Sequence, residues 1–594
     1  MKQFLKYVLA TIIGLVVFGI IMSIISVVTL VGMASMSSGG GNISENSVLV
    51  VKLDGELSER SEDNPLSSLL GSASPSKLGL EDIIAAIKRA ETEDDIKGIY
   101  LEAGSLTSTP AAIEELHDAL IAFKKSGKFI VSYGDNYSQG TYYLCSTADS
   151  VLINPSGMLD WKGLAMQTLY FKDLMDKAGV KMQVFKVGTY KSAVEPYLLS
   201  EISEANKEQI SVFSGEIWDV ITKDVAKNRK LTAETLNQYA DSGIFVNDAK
   251  DYKKLKLVDK LAYSDEVPSV ISNMMDVDQN DYNTITVSTL AGIAQSEPKG
   301  TSGNIIAVYY AEGDIVQAPS ASNIGGNNAE IVGEKVIDDL KKLAEDEDVK
   351  AVVLRVNSPG GSAYASEQIW HQVMNIKSKK PIIVSMGGYA ASGGYYISCA
   401  ADWIVAEPTT LTGSIGIFGM FPEAEELLNK KLGLHASVVK TNEYADMGGY
   451  FRPMNEGEKS LLQGYINRGY ELFTKRCADG RKMKQDDIKA IAEGRVWTGI
   501  HAKQIGLVDQ LGSLKDAIVV AQKKAKVSEY TIMTYPAKAS MLDNLFKEVS
   551  GDSYADRKMR ETFGEYYNIF SNMKSITNKT GIQASLPYYL MFNM

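Results

Sequence analysis

Two kinds of hydrophobic pattern alternate along most of this chain. Short β-branched runs, such as Lys97 to Leu101, Phe129 to Ser132 and Ser150 to Ile153, alternate with stretches of helical period such as Ala111 to Lys125. Strands separated by helix-length segments predict a parallel sheet with crossover helices, an α/β architecture. The pattern lapses twice. Ala34 to Ser47, rich in Ser, Gly and Asn, reads as a flexible tether, and the weakly patterned stretch 276–303 reads as a linker. It is exceeded once, where Val8 to Met33 runs without a charge and is long enough as a helix to cross a hydrocarbon core of about 30 Å. Beyond Ala537 helical spacing returns and ends on the aromatic run PYYLMFNM, an extension whose role the sequence does not give.

The folded part contains the same pattern twice. AETEDDIKGIYLE, from Ala90 to Glu102, matches AEDEDVKAVVLR, from Ala344 to Arg355: an acidic helix end leading into an apolar strand. Phe129 to Asp149 overlays Ile382 to Asp402 at a constant offset of 253 residues, Ile130 meeting Ile383. Later, Gly243 to Leu261 parallels Gly494 to Leu511. The chain thus divides into an N-terminus 1–7, an anchor 8–33, a linker 34–47, a first repeat 48–275, a linker 276–303, a second repeat 304–536 and an extension 537–594.

Repeats keep their cores in common, so the positions where reactive groups occur in one copy only are informative. Ser392, in AASGGYY, stands opposite Gln139. The paired Gly360 and Gly361 of NSPGGS have no counterpart in GSLTS, Gly104 to Ser108, and a glycine pair after a strand permits close approach of backbone to a ligand. Ser414, in LTGSIG, stands opposite Trp161. The reverse holds once: Lys191, in KVGTYKSAVEPY, stands opposite Ala445. One repeat keeps a lysine and the other a serine, as expected for a dyad shared between them. A serine hydroxyl needs an adjacent base to act as nucleophile, and lysine is a recognised one. The four histidines, His117, His371, His435 and His501, all lie outside these motifs, which disfavours a Ser-His-Asp triad. Backbone N–H groups of Gly393 and of Gly361 or Gly360 are candidates for an oxyanion hole. A serine in a Thr-Gly-Ser turn can bond its own backbone or touch the lysine, and Ser414 alone does not decide between them.

The stretches GTYKSAVEP, NSPGG, AASGGYY and LTGSIGIFG resemble those of the signal peptide peptidase family in its long form, the protease IV group, and the resemblance spans the anchor and both repeats. It implies a tandem repeat of two Clp protease/crotonase-like domains after an N-terminal transmembrane helix, with Ser392 as nucleophile, Lys191 as general base and Ser414 holding the lysine amine. It further implies a homo-oligomer, expected as a homotetramer, whose bowl-shaped interior admits remnant signal peptides and other short apolar peptides, with no cofactor or metal. Two other readings fit the repeat pattern: a crotonase-type acyl-CoA enzyme, which the anchor and Lys191 oppose, and an inert membrane scaffold, which the intact Ser392 and Lys191 oppose.

Charge and cysteine content narrow the field further. With 61 basic residues against 73 acidic ones the chain carries a net charge of −12, and no basic block interleaved with aromatics occurs, so nucleic acid is not an expected partner. Cys145, Cys399 and Cys477 are too few for a disulfide framework or a zinc cluster. Lys2 and Lys6 precede the apolar segment and no basic residue follows it until Lys52. The N-terminus is therefore expected in the cytoplasm and the repeats outside it, in the periplasm, on a single-pass inner-membrane anchor.

Overall fold

Each half of the chain gathers its β-branched runs into a parallel sheet. The computed structural model describes residues 43–61, 77–279, 281–296, 303–319, 329–538 and 581–585, with single positions 14, 18, 19 and 22. In the first half, Ser47–Ser58, Ile96–Thr107, Phe129–Gly134, Ser150–Ile153 and Lys260–Leu261 pair in that order, all parallel, with Lys77–Gly79 on the outer edge. The second half repeats the arrangement with Thr531–Tyr535, Ile305–Glu312, Val349–Ser358, Ile382–Ala391, Leu411–Gly413 and Val496–Thr498, the last antiparallel. Three pairs of strand starts, Ile96 and Val349, Phe129 and Ile382, Ser150 and Trp403, each stand 253 residues apart, the spacing expected from the sequence overlay.

Helices cross over between the strands and begin where local chemistry allows. Pro110–Phe123 opens on Thr109, whose side chain accepts from the Ala112 N–H, and places proline in the first turn, where no N–H is required. The matching long helices Glu204–Arg229 and Glu456–Arg481 open on Ser203 and Asn455 in the same way.

The stretch 276–303, expected as a linker, carries structure of its own. Asn283–Thr286 pairs parallel with Ser47–Val50, and Val287–Ser296 is a helix with Leu290 and Ala291 buried. NTIT, with Ile285 as its one large apolar residue, is too polar to be read as a strand, yet it pairs with the first strand at that strand's start. The extension 537–594 likewise supplies a strand, Gly581–Ser585. The anchor 8–33 lies outside the described residues apart from the single positions above, and no helix among the described residues is long and apolar enough to cross a membrane.

A third sheet joins the halves. Its order is Glu330–Val332, Asp314–Val316, Gly360–Ser362, Gly581–Ser585, Phe418–Glu423 and Lys181–Lys186, so a first-half strand lies antiparallel on a second-half one, Phe418 opposite Lys186. The first-half core also takes in Ala391, Leu411 and Val496 from the second half. Beside this contact, Arg355 is buried between halves: Nε donates to Glu59 at 2.9 Å and Nη2 to Glu115 at 2.6 Å.

Candidate active site

Ser392 follows the buried strand Ile382–Ala391 and precedes the short helix Gly393–Ser398. Its backbone sits at φ 54°, ψ −111°, an arrangement sparsely used by residues with a side chain that costs on the order of 1–3 kcal/mol. The turn is held in place because Ser392 N–H donates to Gly413 carbonyl oxygen at 2.8 Å. It is tight because Gly393 and Gly394 come next: a side-chain carbon on Gly394 would fall 2.6 Å from the Ser358 carbonyl oxygen. The sharp reversal leaves the Ser392 hydroxyl at the end of the sheet, beside Gly360–Ser362.

Lys191 comes from the other half. It precedes the turn Ser192–Val194 and is fixed from the second half by backbone and side-chain bonds. Tyr190 N–H donates to Glu493 carbonyl oxygen at 3.0 Å. Gln209 reaches both ways, its Nε2 donating to Tyr190 carbonyl oxygen at 3.2 Å and its Oε1 accepting from Val496 N–H at 3.1 Å. Gly494, at φ +78°, passes so close that a side-chain carbon there would lie 2.7 Å from Lys191 Cα. Gln209 and Gly494 carry no signal in the sequence comparison, because their role is to seat Lys191 against the other repeat.

The two side chains meet. Lys191 Nζ lies 2.8 Å from Ser392 Oγ, 3.0 Å from Ser414 Oγ and 3.2 Å from the Ser414 carbonyl oxygen. All three residues are fully buried, and Lys191 forms no ion pair among the described residues. Burial without a compensating charge disfavours the ammonium form and pushes the Lys191 amine down to about 7. Ser414, at φ +49°, is held by its N–H donating to Arg495 carbonyl oxygen at 2.7 Å.

The glycine pair differs internally. Gly360, at φ +108°, donates its N–H to Ser358 Oγ at 3.1 Å and so is already engaged. Gly361 remains beside the elbow, its nitrogen 3.1 Å from where a side-chain carbon on Gly393 would stand. The arrangement therefore offers an amine base, a hydroxyl and two close backbone amides, the parts needed for acyl transfer through a serine.

The first repeat has no such constellation at the matching positions. Gln139 uses its side chain to close the loop, Oε1 accepting from the N–H groups of Lys162 and Gly163 at 2.9 and 2.7 Å. Trp161 is fully buried, with Nε1 donating to Leu236 carbonyl oxygen at 2.9 Å. Ala445, opposite Lys191, lies in an exposed loop. Cys145, Cys399 and Cys477 are buried and unpaired, and among the described residues no cluster of potential metal ligands occurs.

Comparison with known proteins gives consistent matches. The profile of peptidase family S49 matches residues 122–278 and 375–528, one segment in each repeat, and the Clp protease profile matches residues 319–406. Protease 4 of Haemophilus influenzae is 36% identical over 537 residues, covering 84% of this chain and 82% of the relative. Protease 4 of Salmonella typhi is 36% identical over 535 residues, covering 87% and 85%. The chloroplastic serine protease SPPA of Arabidopsis thaliana is 31% identical over 489 residues, covering 82% and 70%.

Proposed function

The chain belongs to peptidase family S49, and from that premise we propose that it is a membrane-anchored endopeptidase that cuts remnant signal peptides and other short apolar peptides with a Ser392–Lys191 dyad. It is a serine protease of the Protease 4 type. The observation that carries the assignment of the dyad is the 2.8 Å approach of a buried, uncompensated lysine amine to Ser392 Oγ. An ordinary lysine is neutral in only about one molecule in 2,500 at pH 7, a barrier of about 4.6 kcal/mol, whereas an amine held near 7 is neutral in about half.

In this reading neutral Lys191 takes the Ser392 proton as Oγ attacks the peptide carbonyl carbon. The oxygen gains negative charge and is met by the N–H groups of Gly393 and Gly361. Gly360 donates its N–H to Ser358 Oγ, so in this reading Gly361 is the donor of the pair. Ser414 holds the amine in line with Ser392. Lys191 then passes its proton to the leaving amine, and water, activated by the same amine, hydrolyses the acyl-enzyme.

The oligomer has support in an unfinished symmetry. Lys181–Lys186 pairs with Phe418–Glu423 within the chain, but the repeat counterparts of these strands, 435–440 and 165–170, form no strand. Both lie outside helices and strands and are partly apolar, with Leu169, Val438 and Val439 exposed. Pairing 435–440 of one copy with 165–170 of the next repeats the internal contact head to tail. A head-to-tail contact whose rotation closes makes a ring, and we take that ring as the homotetramer, attached to the inner membrane by residues 8–33 with its repeats in the periplasm.

The test is incubation of the purified protein with a synthetic apolar signal peptide, read by mass spectrometry beside a Ser392→Ala variant of unchanged circular dichroism. Cleavage is expected only with Ser392, which should also be labelled by an acylating probe. Equal cleavage by both proteins, or a substrate acyl-CoA turned over without labelling of Ser392, would remove the peptidase assignment of the dyad.

A further inference from the structure

Residues 493–496 of the second half hold both Lys191 and the Ser414 turn. On one side Arg495 carbonyl oxygen accepts from Ser414 N–H at 2.7 Å, and Gly494 N–H donates to Ile415 carbonyl oxygen at 2.9 Å. On the other side Glu493 carbonyl oxygen accepts from Tyr190 N–H, and Val496 N–H donates to Gln209. The stem of Lys191 passes between two glycines: a side-chain carbon on Gly416 would lie 3.2 Å from its Cδ, and one on Gly494 2.7 Å from its Cβ. The segment is not relaxed. Glu493 sits at φ +52° and Gly494 at φ +78°, two left-handed residues in succession, and a residue with a side chain keeps that conformation only where its surroundings hold it.

The Arg495 side chain supplies such a hold across the two halves. Its guanidinium lies 4.6 Å from the ring centroid of Tyr190 and 4.5 Å from that of Trp497. Nη1 donates to the Tyr190 hydroxyl at 3.2 Å and Nη2 to Glu208 at 2.9 Å, while the Tyr190 hydroxyl donates to the same carboxylate at 3.0 Å. The Glu208 side chain is half exposed, so the ion pair by itself is screened and weak. A planar group that lies over two rings and donates in two directions is what a guanidinium provides and an ammonium does not. In the alignment that sets Gly243 against Gly494, the first repeat has Ile244 where the second has Arg495, so this group, like Ser392 and Ser414, occurs in one copy only.

We infer that Arg495 is a positioning residue for the dyad: by clamping Tyr190 it makes residues 493–496 hold Lys191 and Ser414 in line with Ser392 and keeps water from the lysine amine. The inference rests on the dyad proposed above. Besides Arg495 and Glu208, the charged groups around this loop are Glu493, whose Oε2 accepts from Thr189 N–H at 3.3 Å, and Lys186, whose Nζ donates to Lys191 carbonyl oxygen at 3.4 Å. None of them pairs with the Lys191 amine, which burial alone pushes down to about 7. Arg495 therefore acts through position and water access rather than through its charge.

The test is a set of pH–rate profiles on an apolar peptide for the wild-type protein, Arg495→Ala, Arg495→Lys and Lys191→Arg, with folding checked by circular dichroism. Loosening the clamp admits water to Lys191 and returns its amine toward that of an ordinary lysine, so the rising limb of Arg495→Ala should move up by at least about one pH unit. Such a shift lowers kcat at pH 7 about fivefold, with most of the loss regained at pH 9 and KM near its value. Arg495→Lys keeps the charge without the planar fork and should shift in the same direction; if Arg495→Ala does not fold, this variant decides. With Lys191→Arg inactive, a loss equal at every pH, a midpoint that stays in place, or a wild-type profile for Arg495→Lys overturns this inference alone. An active Lys191→Arg overturns the dyad and this inference with it.

Discussion

At the scale of single residues, the proposed chemistry depends on one amine having no charged partner. Lys191 is buried against Ser392, Ser414 and, at 6.0 Å, the ring of Phe418, and burial pushes it down to about 7. A group depressed in this way is protonated below that value, so peptidase activity should rise about tenfold per pH unit up to about pH 7 and then level. A pH–rate profile flat from pH 5 to 8 would contradict it. Arginine keeps the positive charge and cannot give it up, so Lys191→Arg should fall with Lys191→Ala to less than a tenth of the wild-type rate with circular dichroism unchanged. In the proposed mechanism Ser414 acts through Lys191. Removing its hydroxyl takes away an acceptor for the ammonium, so Ser414→Ala should lower kcat about tenfold, leave KM near its value and move the rising limb of the pH profile to lower pH. A merely structural role for Ser414 would leave that midpoint in place.

At the scale of elements, the proposed dyad spans two halves that are joined by buried polar groups which each carries into the other. Glu114, on the helix Pro110–Phe123, accepts from the Thr409 N–H and hydroxyl of the second half at 3.1 and 2.6 Å. Burial raises its carboxyl to about 8, and Glu407 and Glu59 nearby are raised for the same reason. A carboxyl raised above its unfolded value favours folding fully below the unfolded value near 4.5, and that contribution is lost as pH rises through about 8. The contact between halves should therefore weaken between about pH 5 and 8. Glu114→Gln, which keeps an acceptor for Thr409 without a titrating proton, should show a smaller fall in Tm across that interval in thermal melts. An equal fall in both proteins would show that Glu114 does not carry the effect.

At the scale of the whole molecule, the internal pairing of Lys181–Lys186 with Phe418–Glu423 leaves its two repeat counterparts free, and the ring proposed above uses them. Val439 lies in one of these segments, 435–440, and is fully exposed in the single chain. A lysine there places a charge in the proposed strand contact, so Val439→Lys should convert a tetramer into smaller species in light scattering with little change in the fold of each chain. A wild-type protein that is monomeric and active would remove the ring. The proposed topology is tested at the same scale: protease added outside the cytoplasmic membrane should digest the two repeats, and their protection beside a cleaved control would reverse the orientation.

What the sequence determined by itself was whatever repeats or alternates. The offset of 253 residues fixed which strands correspond, β-branched runs marked the parallel strands, and the one-sided occurrence of Ser392, Gly360, Gly361, Ser414 and Lys191 marked where chemistry could sit. These are local signals, carried by neighbours in the chain. The strand Asn283–Thr286 escaped because NTIT holds a single large apolar residue, Ile285, where a run such as Ser150 to Ile153 holds three, and Gly581–Ser585 because nothing in IQAS distinguishes a strand that needs two foreign edges to form. Only the tertiary structure brought Lys191 to 2.8 Å from a serine 201 residues away, and placed Gln209 and Gly494 to hold it there. The depressed amine is likewise a tertiary property. No residue type specifies it, since it arises from the exclusion of water where two halves of the chain close over one side chain.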